Sequence, residues 1–151
     1  AEARRINPAL KVLGFQPRVL PLFEQCDLVL VPSRYREGLP TALIESAATG
    51  RPVVTTNNYG GRDIIFHEKT GLMVEVGDGK GMADCLQRYI EDPMFALRMA
   101  ENNYQQFLGG YTKKHMLQRT VEVFQSLDIP VPNTDLIEAP NDQQNQTRKA
   151  A

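Results

Sequence analysis

The 151-residue chain has no tryptophan, only two cysteines and only two histidines. Cys26 and Cys85 lie far apart, whereas disulfide frameworks and zinc sites need more or closer sulfurs. The simpler expectation is a reduced thiol pair in a cytoplasmic protein. His67 and His115 lack carboxylate or cysteine neighbours at ligand spacing, so each reads as a capping or surface residue, and neither a metal nor a resident cofactor is expected. No Ser–His–Asp arrangement is present. Neither sign of charge dominates: 17 basic against 18 acidic residues leave a formal net charge of -1. Nucleic-acid-binding domains usually carry a strong basic excess or stripe, so that class is disfavoured. No run of eighteen or more apolar residues suits a membrane-spanning helix. No apolar N-terminal stretch has signal-peptide form. The first residue is Ala1, which fits either a removed initiator or a cut inside a longer reading frame.

What the chain does have is enough apolar residues, 42%, to build a core. Their pattern alternates between short β-branched runs and helical spacing. Residues 11–15 (KVLGF) suit a short strand ending at glycine. Residues 18–26 place Val19, Leu22, Phe23 and Cys26 at helical spacing. Residues 27–32 (DLVLVP) are a continuous apolar run, as in a parallel strand buried on both faces. A loop at 33–39 leads into a helix over 40–49, and Gly50 can stop it. Residues 52–56 (PVVTT) form the next strand. Then come a loop at 57–61, a short helical turn at 62–66, a turn at 67–71 and a strand at 72–74. From Asp78 onward only helices are expected, over 82–91, 93–107 and 113–127, with Pro93 suited to a first helical position and Gly109-Gly110 separating the last two. Residues 128–151, with three prolines and many Asn, Gln and charged residues, suggest a mostly disordered tail. The alternation predicts an α/β fold with an incomplete Rossmann-like parallel sheet and C-terminal helices. Ligands of such sheets sit outside the carboxyl ends of the strands, where loops 33–39 and 57–61 lie.

The helix over 40–49 has three unusual features. It opens on Gly38-Leu39-Pro40 without Ser, Thr, Asp or Asn at its cap, leaving the amides of Thr41, Ala42 and Leu43 as orphan donors. A diphosphate there would accept those donors at the positive end of the helix dipole, and Gly38 would admit it close to the backbone. The Thr41 hydroxyl or water would satisfy them equally well. The helix carries one charge, Glu45, nearly opposite Leu43, Ile44 and Ala47, with Thr41 and Thr49 one turn either way. Solvent-washed faces carry more charge than this. A carboxylate here suits the vicinal hydroxyls of a ribose, and an ordinary exposed glutamate is the plainer alternative. Glu37 precedes the helix by one short turn, within reach of a sugar attached to the diphosphate. The plainer alternative is an ion pair with Arg34 or Arg36.

The two glutamates lie within a longer pattern of motifs. Val31-Pro32-Ser33, Arg36-Glu37-Gly38-Leu39-Pro40, Leu43-Ile44-Glu45-Ser46-Ala47 and Gly50-Arg51-Pro52-Val53-Val54 together resemble the retaining glycosyltransferases of family 4, of the GT-B fold. The pair Glu37 and Glu45 is similar to that family's E-x7-E motif. Leu13-Gly14-Phe15, Gly60-Gly61-Arg62-Asp63-Ile64-Ile65 and Thr70-Gly71-Leu72-Met73-Val74 also resemble its pattern. The match runs from about Val12 to Leu127, and the wording around Glu37 is similar to transferases of bacterial capsule and exopolysaccharide synthesis. Leu39 and Pro40 stand where many members have Phe and Gly, a change common in that subgroup.

The resemblance implies that Glu37 contacts the transferred sugar and is the catalytic candidate, while Glu45 holds the donor ribose. It places the backbone of Thr41 and Ala42 at the diphosphate and Ser33, Gly38, Leu39 and Pro40 along the donor loop. Phe15 would lie beside the nucleobase, with Gly60 and Gly61 near the donor. The implied substrates are a nucleotide sugar, uridine-linked by expectation, and a glycan or lipid-linked acceptor. Family members have two Rossmann-like domains, so residues 1–127 correspond to part of the C-terminal, donor-binding one. A separate N-terminal acceptor domain is the expected partner, and the isolated chain is expected to be inactive. A sheet edge left uncovered tends to pair with another chain, so self-association is expected too. Lys113, Lys114 and Arg119 give a modest basic helix start, suited to solvent or to acidic phospholipid at the inner membrane face. The alternatives are a non-catalytic nucleotide-sugar-binding module and a sugar-nucleotide epimerase, which the E-x7-E pair disfavours.

Overall fold

A computed structural model describes residues 5–131. In chain order the elements are α1 (Leu20–Gln25), β1 (Val29–Val31), α2 (Thr41–Ala48), β2 (Val53–Thr56) and α3 (Tyr59–Ile64). They continue with β3 (Leu72–Val74), α4 (Gly79–Glu91), α5 (Pro93–Gly110) and α6 (Lys113–Ser126). The strands form one parallel sheet in the order β1-β2-β3, with Val29 opposite Val53 and Val54 opposite Leu72. The α/β class and the parallel sheet are as the sequence predicts.

β2 is central, and all four of its residues are buried. Successive side chains of a strand face opposite ways. Val53 accordingly joins one cluster, with Val29, Leu43, Ile64 and Ile65. Val54 joins another, with Leu72, Met82, Tyr89, Phe95 and Met99. The Tyr89 hydroxyl donates to the Val53 carbonyl at 3.2 Å, which satisfies it inside the core. Burial pushes the ionisation of that hydroxyl far up.

Several boundaries differ from expectation, each for a local reason. Residues 11–15 form no strand, and Val12, Leu13 and Phe15 are exposed. A strand needs a neighbour for its backbone groups, and none among the described residues pairs with this one. Helix α1 is shorter than 18–26 because Pro21 sets its first turn. Gly60 and Gly61 lie within α3 rather than in a loop, since the Asn58 side chain caps that helix by accepting from the Gly61 amide at 2.8 Å. Asp78 caps α4 in the same manner, starting it at Gly79 rather than Met82. Gly109 and Gly110 finish α5 instead of separating it from α6. The ring of the next residue explains this: the Tyr111 hydroxyl donates to the Asp63 carbonyl at 2.9 Å, holding the last turn against α3. Asp63 itself sits late in α3. Of the expected tail, residues 132–151 lie outside the described residues.

Candidate functional site

The carboxyl ends of β1, β2 and β3 open onto loop 32–40, residues 57–58 and residues 75–78. Loop 32–40 has no regular structure, so side chains from β2 and α3 hold it. The Thr56 hydroxyl donates to the Ser33 carbonyl at 2.6 Å. The Asn58 side-chain amide donates to the Tyr35 carbonyl at 3.2 Å and reaches the Ser33 carbonyl at 3.4 Å. Asn58 therefore ties the loop to the start of α3 while capping that helix. Neither Thr56 nor Asn58 stood out in the sequence, although an Asn ahead of Tyr-Gly-Gly has the form of a cap.

Gly60 completes the clamp. A Cβ there would lie 2.5 Å from the Glu37 carbonyl oxygen and 2.6 Å from Pro40 Cδ, so only glycine allows this approach. The equivalent position on Gly61 would lie 2.6 Å from the Thr56 carbonyl oxygen. Both glycines are buried and packed against the loop and β2. By contrast Gly38 has nothing within 4 Å of its would-be Cβ. Its open side faces free space.

Glu37 is exposed, and its Oε1 accepts from the Ser33 hydroxyl at 2.9 Å. It pairs with neither Arg34 nor Arg36. That bond aims the carboxylate along the loop and brings Ser33 and Glu37 together as a unit. Arg36 turns instead to the Tyr59 ring, with its guanidinium carbon 4.5 Å from the ring centre.

Helix α2 starts at Thr41 with Pro40 as an extended N-cap and no side-chain cap bond. The Leu43 amide donates to the Pro40 carbonyl at 3.0 Å, so it is not an orphan donor as expected. The amides of Thr41 and Ala42 find no acceptor among the described residues. Glu45 follows four residues after Thr41, on the same helix face. It is half-buried, no described residue pairs with its carboxylate, and burial alone raises its pKa above the ordinary carboxylate value. Thr49 does not share that face. It is buried, and its hydroxyl donates back to the carbonyls of Glu45 and Ser46. Leu43, Ser46 and Ala47 form the buried face.

Leu39 is half-exposed in the same loop. Phe15 is 91% exposed, so the structure does not bring it against the other candidate residues. A shallow pocket of about 160 Å³ lies among Pro32, Arg34, Thr56, Asp78 and Met82. It includes neither glutamate, and it is smaller than the roughly 300 Å³ at which small-molecule pockets begin. The open surface around Glu37 and α2 is the better chemical candidate. Of the histidines, His67 accepts from the Met73 amide through Nδ1 at 2.9 Å, and His115 Nδ1 lies 2.8 Å from the Thr112 hydroxyl. Both have local structural roles. Cys26 and Cys85 are free, and no group of three potential ligands among the described residues could hold a metal. No helix among them is long and apolar enough to cross a membrane.

The family described as "Glycosyl transferases group 1" matches residues 1–106. The chain belongs to that family. It is 26% identical over 121 residues to the lipopolysaccharide core biosynthesis glycosyltransferase LpsE of Rhizobium meliloti, covering 80% of this chain and 35% of the relative. It is 27% identical over 116 residues to the N,N'-diacetylbacillosaminyl-diphospho-undecaprenol alpha-1,3-N-acetylgalactosaminyltransferase of Campylobacter jejuni, covering 77% and 30%. Among solved structures, Anabaena HepE in complex with UDP superposes with a TM-score of 0.78 at 23% identity, covering 83% of this chain and 34% of HepE. That likeness supports the GT-B fold. The chain spans about a third of the length of the curated relatives it matches.

Proposed function

We propose that this chain carries the donor site of a retaining family 4 glycosyltransferase that uses a nucleotide sugar in glycan or polysaccharide synthesis at the cytoplasmic face of the membrane. One observation carries the reading. Helix α2 presents two unpaired backbone amides, at Thr41 and Ala42, and one unpaired, half-buried carboxylate, at Glu45. The amides suit a diphosphate, and the carboxylate suits the two hydroxyls of a ribose. Glu37, held by Ser33, then stands beside the transferred sugar. A uridine-linked donor is the favoured class, because HepE was solved with UDP.

In this reading the sugar–phosphate bond breaks through a transition state with oxocarbenium character. Charge grows on the leaving diphosphate, and the fixed amides of α2 meet it there without reorganising. Glu37 orients the sugar. Gly38 leaves the approach to the backbone open, Leu39 and Pro40 shape the entry, and Gly60 and Gly61 hold the loop. The acceptor is a glycan or a lipid-linked sugar.

The test uses UDP, which has the ribose and diphosphate but no sugar. Calorimetry on the full chain is expected to show UDP affinity lost in Glu45→Ala, by about 1.5–3 kcal/mol for a charged hydrogen bond, and nearly unchanged in Glu37→Ala. In an enzyme that includes this domain, Glu45→Ala should mainly raise KM for the donor and Glu37→Ala mainly lower kcat. Equal losses of UDP affinity in both variants, or none in Glu45→Ala, would mean the donor is placed wrongly. A second reading is a nucleotide-sugar-binding module without transfer of its own, supported by the same amides and carboxylate of α2, which suit a donor whether or not transfer follows. Sugar transfer by the chain alone would dismiss it.

A further inference from the structure

Two arginines share one aromatic ring beside Glu37. The guanidinium carbons of Arg36 and Arg62 lie 4.5 and 4.4 Å from the centre of the Tyr59 ring. The two cations are therefore within about 9 Å of each other, the sum of those distances. Like charges separated by about one Debye length, roughly 8 Å at physiological salt, are only partly screened and still repel. The ring quadrupole offsets part of that cost. Yet no carboxylate among the described residues pairs with either cation. Glu37, next to Arg36 in the chain, is bonded to Ser33 instead.

A second stack in the same molecule shows the difference. Arg88 and Arg98 also share a ring, with guanidinium carbons 4.1 and 5.4 Å from the centre of Phe95. There the fold supplies an anion, since Arg88 pairs with Glu68. At Tyr59 it supplies none. Arg36, Arg62 and Tyr59 are all exposed, so the donors of both guanidiniums remain available. Each guanidinium offers a planar fork of donors that can hold phosphoryl oxygens in bidentate fashion.

We propose that Arg36 and Arg62, held on Tyr59, bind the diphosphate of a lipid-linked acceptor. This rests on the donor reading above, and it assigns the acceptor class. Gly60, next to Tyr59, packs on the Glu37 carbonyl and Pro40, so the stack adjoins the end of the loop assigned to the transferred sugar. An anion on that side belongs to the molecule receiving the sugar, because the donor diphosphate occupies the amides of Thr41 and Ala42. Tyr35 and Leu39 are exposed in the same loop and offer apolar surface for the first isoprene units. One relative's name states such an acceptor, a sugar on diphospho-undecaprenol.

Farnesyl diphosphate is a soluble probe of this chemistry. Calorimetry on the full chain is expected to show it binding the wild type. Arg36→Gln and Arg62→Gln should each weaken it several-fold, and the double variant by tenfold or more, with UDP affinity unchanged. Arg36→Lys should restore only part of the loss, because an ammonium keeps the charge but not the fork. Thermal melts of each variant confirm that it folds. Farnesyl diphosphate affinity unchanged in the folded double variant would overturn the proposal. So would an equal loss of UDP, which would give the cations to the donor. Arginine-dependent binding to phosphatidylglycerol vesicles that farnesyl diphosphate does not displace would also overturn it, giving them to a membrane surface. Farnesyl diphosphate binding that needs both arginines, in a chain that does not bind UDP, would support the anion site and remove the donor reading. UDP binding lost in Glu45→Ala, with no farnesyl diphosphate binding, would do the reverse.

Discussion

Two apolar regions, one packed on β2 and one in the exposed segment ahead of α1, use the same kinds of residue to opposite ends. Toward β3, Val54 and Leu72 are 0% exposed, and Met82, Tyr89, Phe95 and Met99 close over them. In the segment that precedes α1, Leu10, Val12, Leu13 and Phe15 are exposed, and Leu30 within β1 is 40% exposed. Composition does not separate the regions, because KVLGF is as strand-like as GLMV. Partners do. β3 has β2 for its backbone and α4 for its side chains, whereas residues 11–15 have neither among the described residues. An apolar pattern states what a segment would bury, and only a neighbour lets it do so.

The largest test of that contrast is a pair of truncations. Leu72→Ala is expected to cost about 2–5 kcal/mol in denaturant unfolding, the range for a buried leucine in a packed core. Phe15→Ala should stay within about 0.5 kcal/mol, as for an exposed site. A comparable cost for both would mean that Phe15 is docked and the regions are alike.

A pair of glycines sharpens the comparison within the site. Gly60→Ala forces a methyl group against the Glu37 carbonyl and Pro40. Overpacking of this kind costs about 1–3 kcal/mol, and loosening the loop should weaken UDP binding as well. Gly38→Ala meets nothing within 4 Å. It should leave the melting temperature nearly unchanged while still weakening UDP, because the added methyl occupies the side a ligand would approach. A Gly60→Ala variant as stable as wild type would show that the clamp does not hold the loop.

The exposed segment makes a smaller prediction about association. Free sheet edges and contiguous apolar surface favour pairing with other chains. Light scattering of the isolated chain should show self-association that rises with concentration and falls in a Leu13→Ser, Phe15→Ser variant. A monodisperse monomer at high concentration would break the link between this segment and association.

Much of this was legible in the residues, and the exceptions share a cause. DLVLVP, PVVTT and GLMV announce parallel strands because continuous apolar runs flanked by turns have few other uses. Glu45 is conspicuous as the lone carboxylate of a nearly uncharged helix, and Glu37 for its place one short turn ahead of it. What the pattern hid were bonds between segments distant in sequence. Asn58 reads as loop until its side chain is seen bridging Gly61 and Tyr35. Gly60 and Gly61 read as part of a loop, yet they are glycines because backbone and Pro40 press on them. Thr49 reads as part of the Glu45 face, although its hydroxyl turns inward. Arg36 next to Glu37 suggests an ion pair, and only the fold shows Tyr59 taking the arginine instead.

The smallest prediction concerns Glu45, where binding and stability should pull apart. Burial raises its pKa in the folded chain above the ordinary carboxylate value. The folded state therefore holds that proton more tightly than the unfolded state does. Its contribution favours folding most at low pH, below the unfolded carboxylate value, and declines as pH rises from there through the raised folded value. At neutral pH the ionised side chain is slightly unfavourable to the fold. Glu45→Gln should remove that cost, leaving stability at pH 7 equal to or above wild type by up to about 0.5 kcal/mol, the usual range at partly exposed sites. The same change should weaken UDP, since an amide accepts fewer hydrogen bonds than a carboxylate. Acidification adds an internal control. Wild-type affinity for UDP should fall as pH drops through the raised Glu45 value, and the difference between wild type and Glu45→Gln should narrow over that interval. Both profiles share the protonation of UDP itself, so the difference isolates the side chain. Melting curves and calorimetry at pH 4.5–7.5 measure the two quantities on the same samples. A Glu45→Gln variant that loses stability at pH 7 would show the carboxylate supporting the fold rather than waiting for a ligand, and would align α2 with the well-satisfied region at β3.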